Sequence, residues 1–180
     1  MPKVLISDLM DPISEKILKS NNIEVDVITN LEPDQLIEKI IEYDGLIIRS
    51  STKVTKEIID KAKNLKIIGR AGAGVDNIDL DAAKDKNIIV MNTPGGNSNA
   101  TAEHTMALIF SLTRSINEAN ISTHKGLWEK KKFKGSEVRG KNIGIIGFGN
   151  VAKRFAEISI SLGLKVNIYS KYFNSIKEKY

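Results

Sequence analysis

The stretch Asn142-Ile143-Gly144-Ile145-Ile146-Gly147-Phe148-Gly149-Asn150-Val151-Ala152 decides the fold. Asn142 to Ile146 is short, apolar and rich in isoleucine, as a buried strand is. It runs without a spacer into glycines, and a helical pattern opens at once: Val151, Phe155, Ile158 and Leu162 fall on one face, and Gly163 is placed to end it. The spacing is GxGxxG with alanine at the third glycine, in the strand–turn–helix context that the dinucleotide-binding fingerprint requires. Gly147 permits the tight turn, Gly149 lets a pyrophosphate reach the backbone, and Ala152 keeps the helix close to the sheet. The helix start, at Asn150 and Val151, offers unpaired N–H groups to phosphate. The bland alternative is a glycine-rich βα turn that holds no ligand.

Upstream, the same alternation continues. The runs Val4–Ser7, Ile23–Thr29, Gly45–Arg49, Lys66–Gly69 and Ile88–Met91 read as strands buried on both faces. Amphipathic segments separate them. Asp11 caps a helix whose first turn holds Pro12, with Ile13, Ile17 and Leu18 on one face. Leu36, Ile37, Ile40 and Ile41 follow Pro33, and Ile58, Ile59 and Ala62 follow Thr55. Such alternation implies an α/β fold with a parallel sheet. The turn-rich Asn92–Ser98 marks a boundary near residue 97, giving domains 1–97 and 98–180. From Ala100 to Ser115 the chain is apolar around the whole helix circumference, which predicts burial between domains or subunits. Downstream, one strand–turn–helix–strand unit is half of a Rossmann domain.

Composition narrows the function. There is no cysteine, so disulfides and thiolate metal sites are excluded and cytoplasmic residence is the default. The longest apolar stretches fall far short of the ~20 residues of a membrane span, and the start MPKVLISDLMD reads as a strand and not as a signal peptide. The net charge of +5 comes from local clusters (Lys130, Lys131, Lys132 and Lys134; Lys177 and Lys179), and aromatics are only 6%, which disfavours nucleic acid. A solvated loop is the preferred reading of the Lys130–Lys134 cluster, and a phosphate contact the alternative. About twenty residues past the first glycine an acid should hold the adenosine ribose; here Asn167-Ile168-Tyr169-Ser170-Lys171 supplies none. Ser170 therefore leaves NADP open beside NAD.

Several further segments carry a resemblance: Arg49–Val54 (RSSTKV), Gly69–Asn77 (GRAGAGVDN), Met91–Asn97 (MNTPGGN), Ala102-Glu103-His104, and Trp128-Glu129 leading into Lys131-Lys132-Phe133. In this order, and with the glycine fingerprint, they resemble the D-isomer-specific 2-hydroxyacid dehydrogenase family, and within it the phosphoglycerate dehydrogenase branch. The resemblance implies a flavodoxin-like substrate domain followed by an NAD(P)-binding domain, with the active site between them. It implies that Arg49, Ser50 and Asn97 face an anionic hydroxy acid, guanidinium pairing bidentately with carboxylate or phosphate. It also implies that Gly72-Ala73-Gly74 presents backbone N–H groups to the substrate carboxylate, with Ala73 also on the nicotinamide side, where the family places a larger or hydroxylated residue. Arg49 as a surface ion pair and Asn97 as a turn-former are the alternatives. A homodimer, or a complementing second chain, is the implied partner.

The family's catalytic Arg, Glu and His come from the second half of the cofactor domain, so no catalytic residue is expected here. His104, expected in a buried helix, and His124, at a helix end, are poor candidates for the base that hydride transfer requires. The chain thus reads as the N-terminal part of an enzyme of serine biosynthesis, inactive by itself. The alternative is a non-catalytic anion-binding or dimerisation module.

Overall fold

The computed structural model describes residues 1–171; most of the polar tail anticipated from Lys171 to Tyr180 lies outside the described residues. The chain divides into two compact units, Met1–Gly96 and the part from Asn97 onward.

The first unit alternates strands and helices without exception: β1 (Lys3–Ile6), α1 (Ile13–Ser20), β2 (Glu24–Val27), α2 (Pro33–Ile40), β3 (Gly45–Ile48), α3 (Lys56–Lys61), β4 (Ile67–Arg70), α4 (Leu80–Asp85) and β5 (Ile89–Asn92). All five strands pair in parallel, in the order β2-β1-β3-β4-β5. Crossovers are right-handed, so reversing the direction of travel across the sheet moves the connecting helix to the other face. The β1-to-β2 step runs opposite to the others, which separates α1 from α2, α3 and α4. Helices α2 to α4 bury Leu36, Ile40, Ile58, Ile59, Ala82 and Ala83 against Leu5, Leu46, Ile48 and Ile68. Register places Val4, Gly45, Ile67 and Ile89 in one row and Ile6, Ile47, Gly69 and Met91 in a second, both on the face of the sheet opposite to Leu5, Leu46 and Ile68.

That second face corrects the expectation of strands buried on both sides. Val4 and Ile6 are buried, but Ile89 is 60% and Met91 53% exposed. β5 alternates because it is an edge strand with a covering layer on one side only.

Local chemistry sets the helix starts. Asp11 accepts from the Ile13 N–H at 2.9 Å from two positions ahead of α1, and Pro12 holds the cap position in its place. Glu32 and Gln35 form a reciprocal capping box at α2. Asp79 accepts from the Ala82 N–H at 2.9 Å at α4. At the amino end of the sheet, Lys3 reaches Asp26 at 3.1 Å and lies over the Tyr43 ring. The Tyr43 hydroxyl donates to Asp26 at 2.7 Å. That hydrogen bond and then the one from Lys3 hold the Asp26 carboxyl below its ordinary value.

The second unit contains α5 (Ser98–Arg114), α6 (Ile116–His124), β6 (Asn142–Ile146), α7 (Asn150–Ser161) and β7 (Lys165–Tyr169). β6 and β7 pair in parallel, and α5 packs on α7 around Ala102, Met106, Ile145, Phe155 and Leu164. Helix α5 is not buried all round. Ala102 and Met106 are buried, while Leu112 is 81% exposed and His104 is exposed too. Among the described residues, the buried stripe of α5 is the one that packs with α7. The helix also ends at Ser115, held in the left-handed region at φ 49, and α6 restarts immediately.

Candidate functional site

In a doubly wound sheet, ligands bind beyond the carboxyl ends of the strands where the winding reverses. Here that point lies between β1 and β3, and the residues leaving those strands are Ser7-Asp8-Leu9 and Arg49-Ser50-Ser51-Thr52. Arg49 and Ser50 are exposed on this edge. One arm of the Arg49 guanidinium, Nη1, donates to the Leu9 carbonyl at 3.1 Å, which aims the side chain without neutralising it. The surface ion pair that was the alternative reading does not form: among the described residues no carboxylate lies within 4.0 Å of the Arg49 guanidinium.

The loop itself is held by side chains that sequence reading did not single out. Asp8, 5% exposed, accepts from the Arg49 N–H and, at 3.2 Å, from the Thr52 N–H through Oδ2. Its Oδ1 accepts from the Thr52 hydroxyl at 2.9 Å, and that hydroxyl also meets Ser7 Oγ at 3.0 Å. Asn77 Nδ2 donates to the carbonyls of Arg49 at 2.8 Å and of Thr52 at 2.6 Å. A cavity of about 340 Å3 opens on another flank of this loop, lined by Asp8, Asn30, Leu36, Ser51, Thr52 and Lys53 among others; Arg49 and Ser50 do not line it.

The Gly72-Ala73-Gly74 turn follows β4. The Gly72 N–H donates to the Arg70 carbonyl at 2.8 Å, so this amide of the turn already has an acceptor within the chain. The amides of Ala73 and Gly74 meet no acceptor among the described residues. Arg70, with its side chain 10% exposed, reaches Asp76 at 3.5 Å and donates through Nε to the Arg49 carbonyl at 3.5 Å. A Cβ on Gly74 would come within 2.8 Å of both Arg70 Nη1 and Asp76 Oδ1. Both are the outer ends of flexible side chains, and that of Asp76 is exposed, so a side chain at position 74 would have to move this ion pair aside.

In the second unit Gly147 lies at φ +87, a conformation glycine adopts without strain, and its N–H extends the ladder to the Tyr169 carbonyl at 2.8 Å. Gly149 caps α7 with an extended backbone and no side-chain capping bond. A Cβ on either glycine would meet nothing within 4 Å. A glycine pair beneath open space, at the start of a 12-residue helix whose first amides (Asn150, Val151, Ala152) are uncapped, fits a phosphate group. Ser170 follows β7, in the same edge region as Gly147. Asn97 lies exposed at the start of α5, where its carbonyl accepts from the Thr101 N–H and hydroxyl, each at 2.9 Å.

The family described as "D-isomer specific 2-hydroxyacid dehydrogenase, catalytic domain" matches residues 4–177. The chain belongs to this family. Within the dehydrogenase family it is 48% identical over 163 residues to a D-3-phosphoglycerate dehydrogenase of Pongo abelii, covering 91% of this chain and 31% of that protein. A D-3-phosphoglycerate dehydrogenase of Archaeoglobus fulgidus is 45% identical over 173 residues, covering 94% and 32%. The chain thus spans about a third of the length of these relatives. Among solved structures, the NAD+-bound 3-phosphoglycerate dehydrogenase of Entamoeba histolytica superposes with a TM-score of 0.77 at 35% identity, covering 95% of this chain and 54% of that one.

No group of three or more His, Cys, Asp or Glu residues that could hold a metal occurs among the described residues. No helix among them is long and apolar enough to cross a membrane. Among the described residues neither histidine is paired with a carboxylate: His124 Nδ1 meets the Asn120 carbonyl at 2.9 Å, and His104 stands on the exposed side of α5.

Proposed function

We propose that this chain carries the substrate-binding unit (residues 1–97) and the first half of the cofactor-binding unit (98–180) of an NAD(P)-dependent dehydrogenase that oxidises 3-phosphoglycerate in serine biosynthesis. The observation that carries this reading is the Arg49–Thr52 loop, pinned at the switch point with its guanidinium turned outward and unneutralised. Arg49 and Ser50 bind and orient the anionic substrate, and the amides of Ala73 and Gly74 receive its carboxylate. Gly72 shapes that turn, and Asn97 belongs to the substrate site. Gly147, Gly149, Asn150 and Val151 hold the pyrophosphate of the cofactor by backbone amides and helix dipole, with Ser170 beside the adenosine ribose. When bound, the nicotinamide accepts the hydride that leaves the hydroxyl-bearing carbon. Among the described residues no histidine is poised by a carboxylate for the accompanying proton, and the role of the chain in this reading is binding and orientation. The test is titration of the purified chain with 3-phosphoglycerate. Arg49→Ala should weaken binding by roughly 10- to 150-fold, the equivalent of a hydrogen bond to a charged group. Equal affinity for both forms would sink the assignment.

A second reading rests on α5, whose Leu108 and Leu112 are exposed. An apolar helix flank of this kind suits a subunit contact, and we propose homodimerisation through the second unit. Sedimentation of the wild type against Leu112→Glu decides it, since a dimer should dissociate in the variant.

A further inference from the structure

Four backbone groups fix the path of the Arg49–Thr52 loop, and two side chains take all four. Asp8 accepts from both amides, of Arg49 and of Thr52. Asn77 donates to both carbonyls of the same two residues, at 2.8 and 2.6 Å. The partners come from different strand ends, Asp8 after β1 and Asn77 after β4, separated from the loop by up to 44 and 28 positions. We infer that Asp8 and Asn77 are positioning residues that hold the Arg49 guanidinium in its anion-binding attitude. The inference rests on the proposed anion site.

The chemistry at each clamp is sided. Asn77 must present its NH2 to the loop, because both acceptors are carbonyl oxygens; its Oδ1 is buried and has no partner among the described residues. Asp at this position would set an oxygen against two oxygens, a repulsion in a dry setting, with no change of shape. Asp8 is more forgiving. An Asn there can keep its oxygen on the two amides and turn its NH2 toward Thr52 Oγ1, which can accept while its own proton goes to Ser7. Asp8→Asn should therefore rescue what Asp8→Ala loses. Nothing else in the first unit accepts these two amides, so their loss frees the loop that carries Arg49. Displacing a charged binding group by a fraction of its own length is enough to weaken recognition severely.

The experiment is amide hydrogen exchange and 3-phosphoglycerate titration on the full chain, for wild type, Asp8→Ala, Asp8→Asn, Asn77→Asp and, as a control, Asp79→Ala. The Asp79 side chain caps α4 and makes none of the four loop bonds, so its variant lowers stability and leaves the Asp8 and Asn77 side-chain bonds in place. Expected is loss of exchange protection at Arg49 and Thr52 in Asp8→Ala and Asn77→Asp, with affinity lower by about ten-fold or more. Asp8→Asn and Asp79→Ala should bind as the wild type does. Unchanged protection in Asp8→Ala overturns the clamp. Lost protection with unchanged affinity overturns the positioning role and leaves the anion site standing. A wild type with protected loop amides that does not bind 3-phosphoglycerate overturns the anion site, and this inference with it.

Discussion

Serine in place of Gly149 separates what the fold needs from what a ligand needs. The backbone there is extended, φ −80 and ψ −170, which any residue adopts, and a Cβ would meet nothing within 4 Å. Serine is also at least as good a helix cap as glycine, by a few tenths of a kcal/mol. Gly149→Ser should therefore leave the melting temperature unchanged or slightly raised. The added atoms stand over the start of α7, where a pyrophosphate would lie, and Oγ would compete for the amides offered to it. One lost hydrogen bond to a charged oxygen removes about 1.5–3 kcal/mol, or roughly 10- to 150-fold in affinity. Gly147→Ser is the counterpart. At φ +87 a non-glycine residue is strained by about 1–2 kcal/mol, so this variant should lose stability as well as binding. The assay is NADH titration followed by quenching of Trp128 and by cofactor fluorescence, with thermal unfolding run in parallel. If Gly149→Ser binds NADH as the wild type does, the turn is not the pyrophosphate cradle and the fingerprint is structural.

Ile68 is fully buried in the central sheet, and Ile68→Ala should cost about 2–5 kcal/mol in denaturant unfolding; a loss below one would mean that the sheet core is loosely packed. Asp26 and Asp44 are both held below their ordinary values, Asp26 by the Tyr43 hydroxyl and then Lys3, Asp44 by Lys66 and then the Lys3 amide. A carboxyl depressed by folding stabilises fully above its unfolded value and loses that contribution as pH falls through the folded one. Urea midpoints should thus fall when pH drops from about 7 to about 3, and fall less in Tyr43→Phe; equal drops in the two proteins would remove Tyr43 from the explanation. Ser170 in place of a ribose-binding acid predicts weakened preference for NADH over NADPH, and a strong preference for NADH would overturn it.

The reading of the sequence located the strands to within a residue or two at most ends, because the Val- and Ile-rich runs are punctuated by proline, aspartate and glycine at almost every border. The Gly147 turn was legible for the same reason: its spacing is local. For helix α5, apolar count around a circumference does not tell which side has a neighbour within the chain; Leu112 and Met106 look alike in sequence, yet Met106 is buried and Leu112 exposed. The break at Ser115 carried no glycine to announce it. Asp8 and Asn77 were illegible in another way. Their partners are backbone atoms of distant residues, and a backbone carbonyl has no letter in the sequence. The Arg70–Asp76 pair beside Gly74 was illegible too, because it joins side chains across a turn whose shape the sequence does not spell out.

The strand order β2-β1-β3-β4-β5 has a kinetic consequence. The first strand made is an interior strand of the sheet, and its second edge stays unpaired until Gly45–Ile48 has been synthesised. At about 5–20 residues per second, some forty residues of translation leave Leu5 and Ile6 half-covered for seconds. During that wait the β1–β2 pair with α1 is all that shields them. Early capture by a chaperone, and sensitivity of yield to translation rate, are what such a centre-first sheet should show.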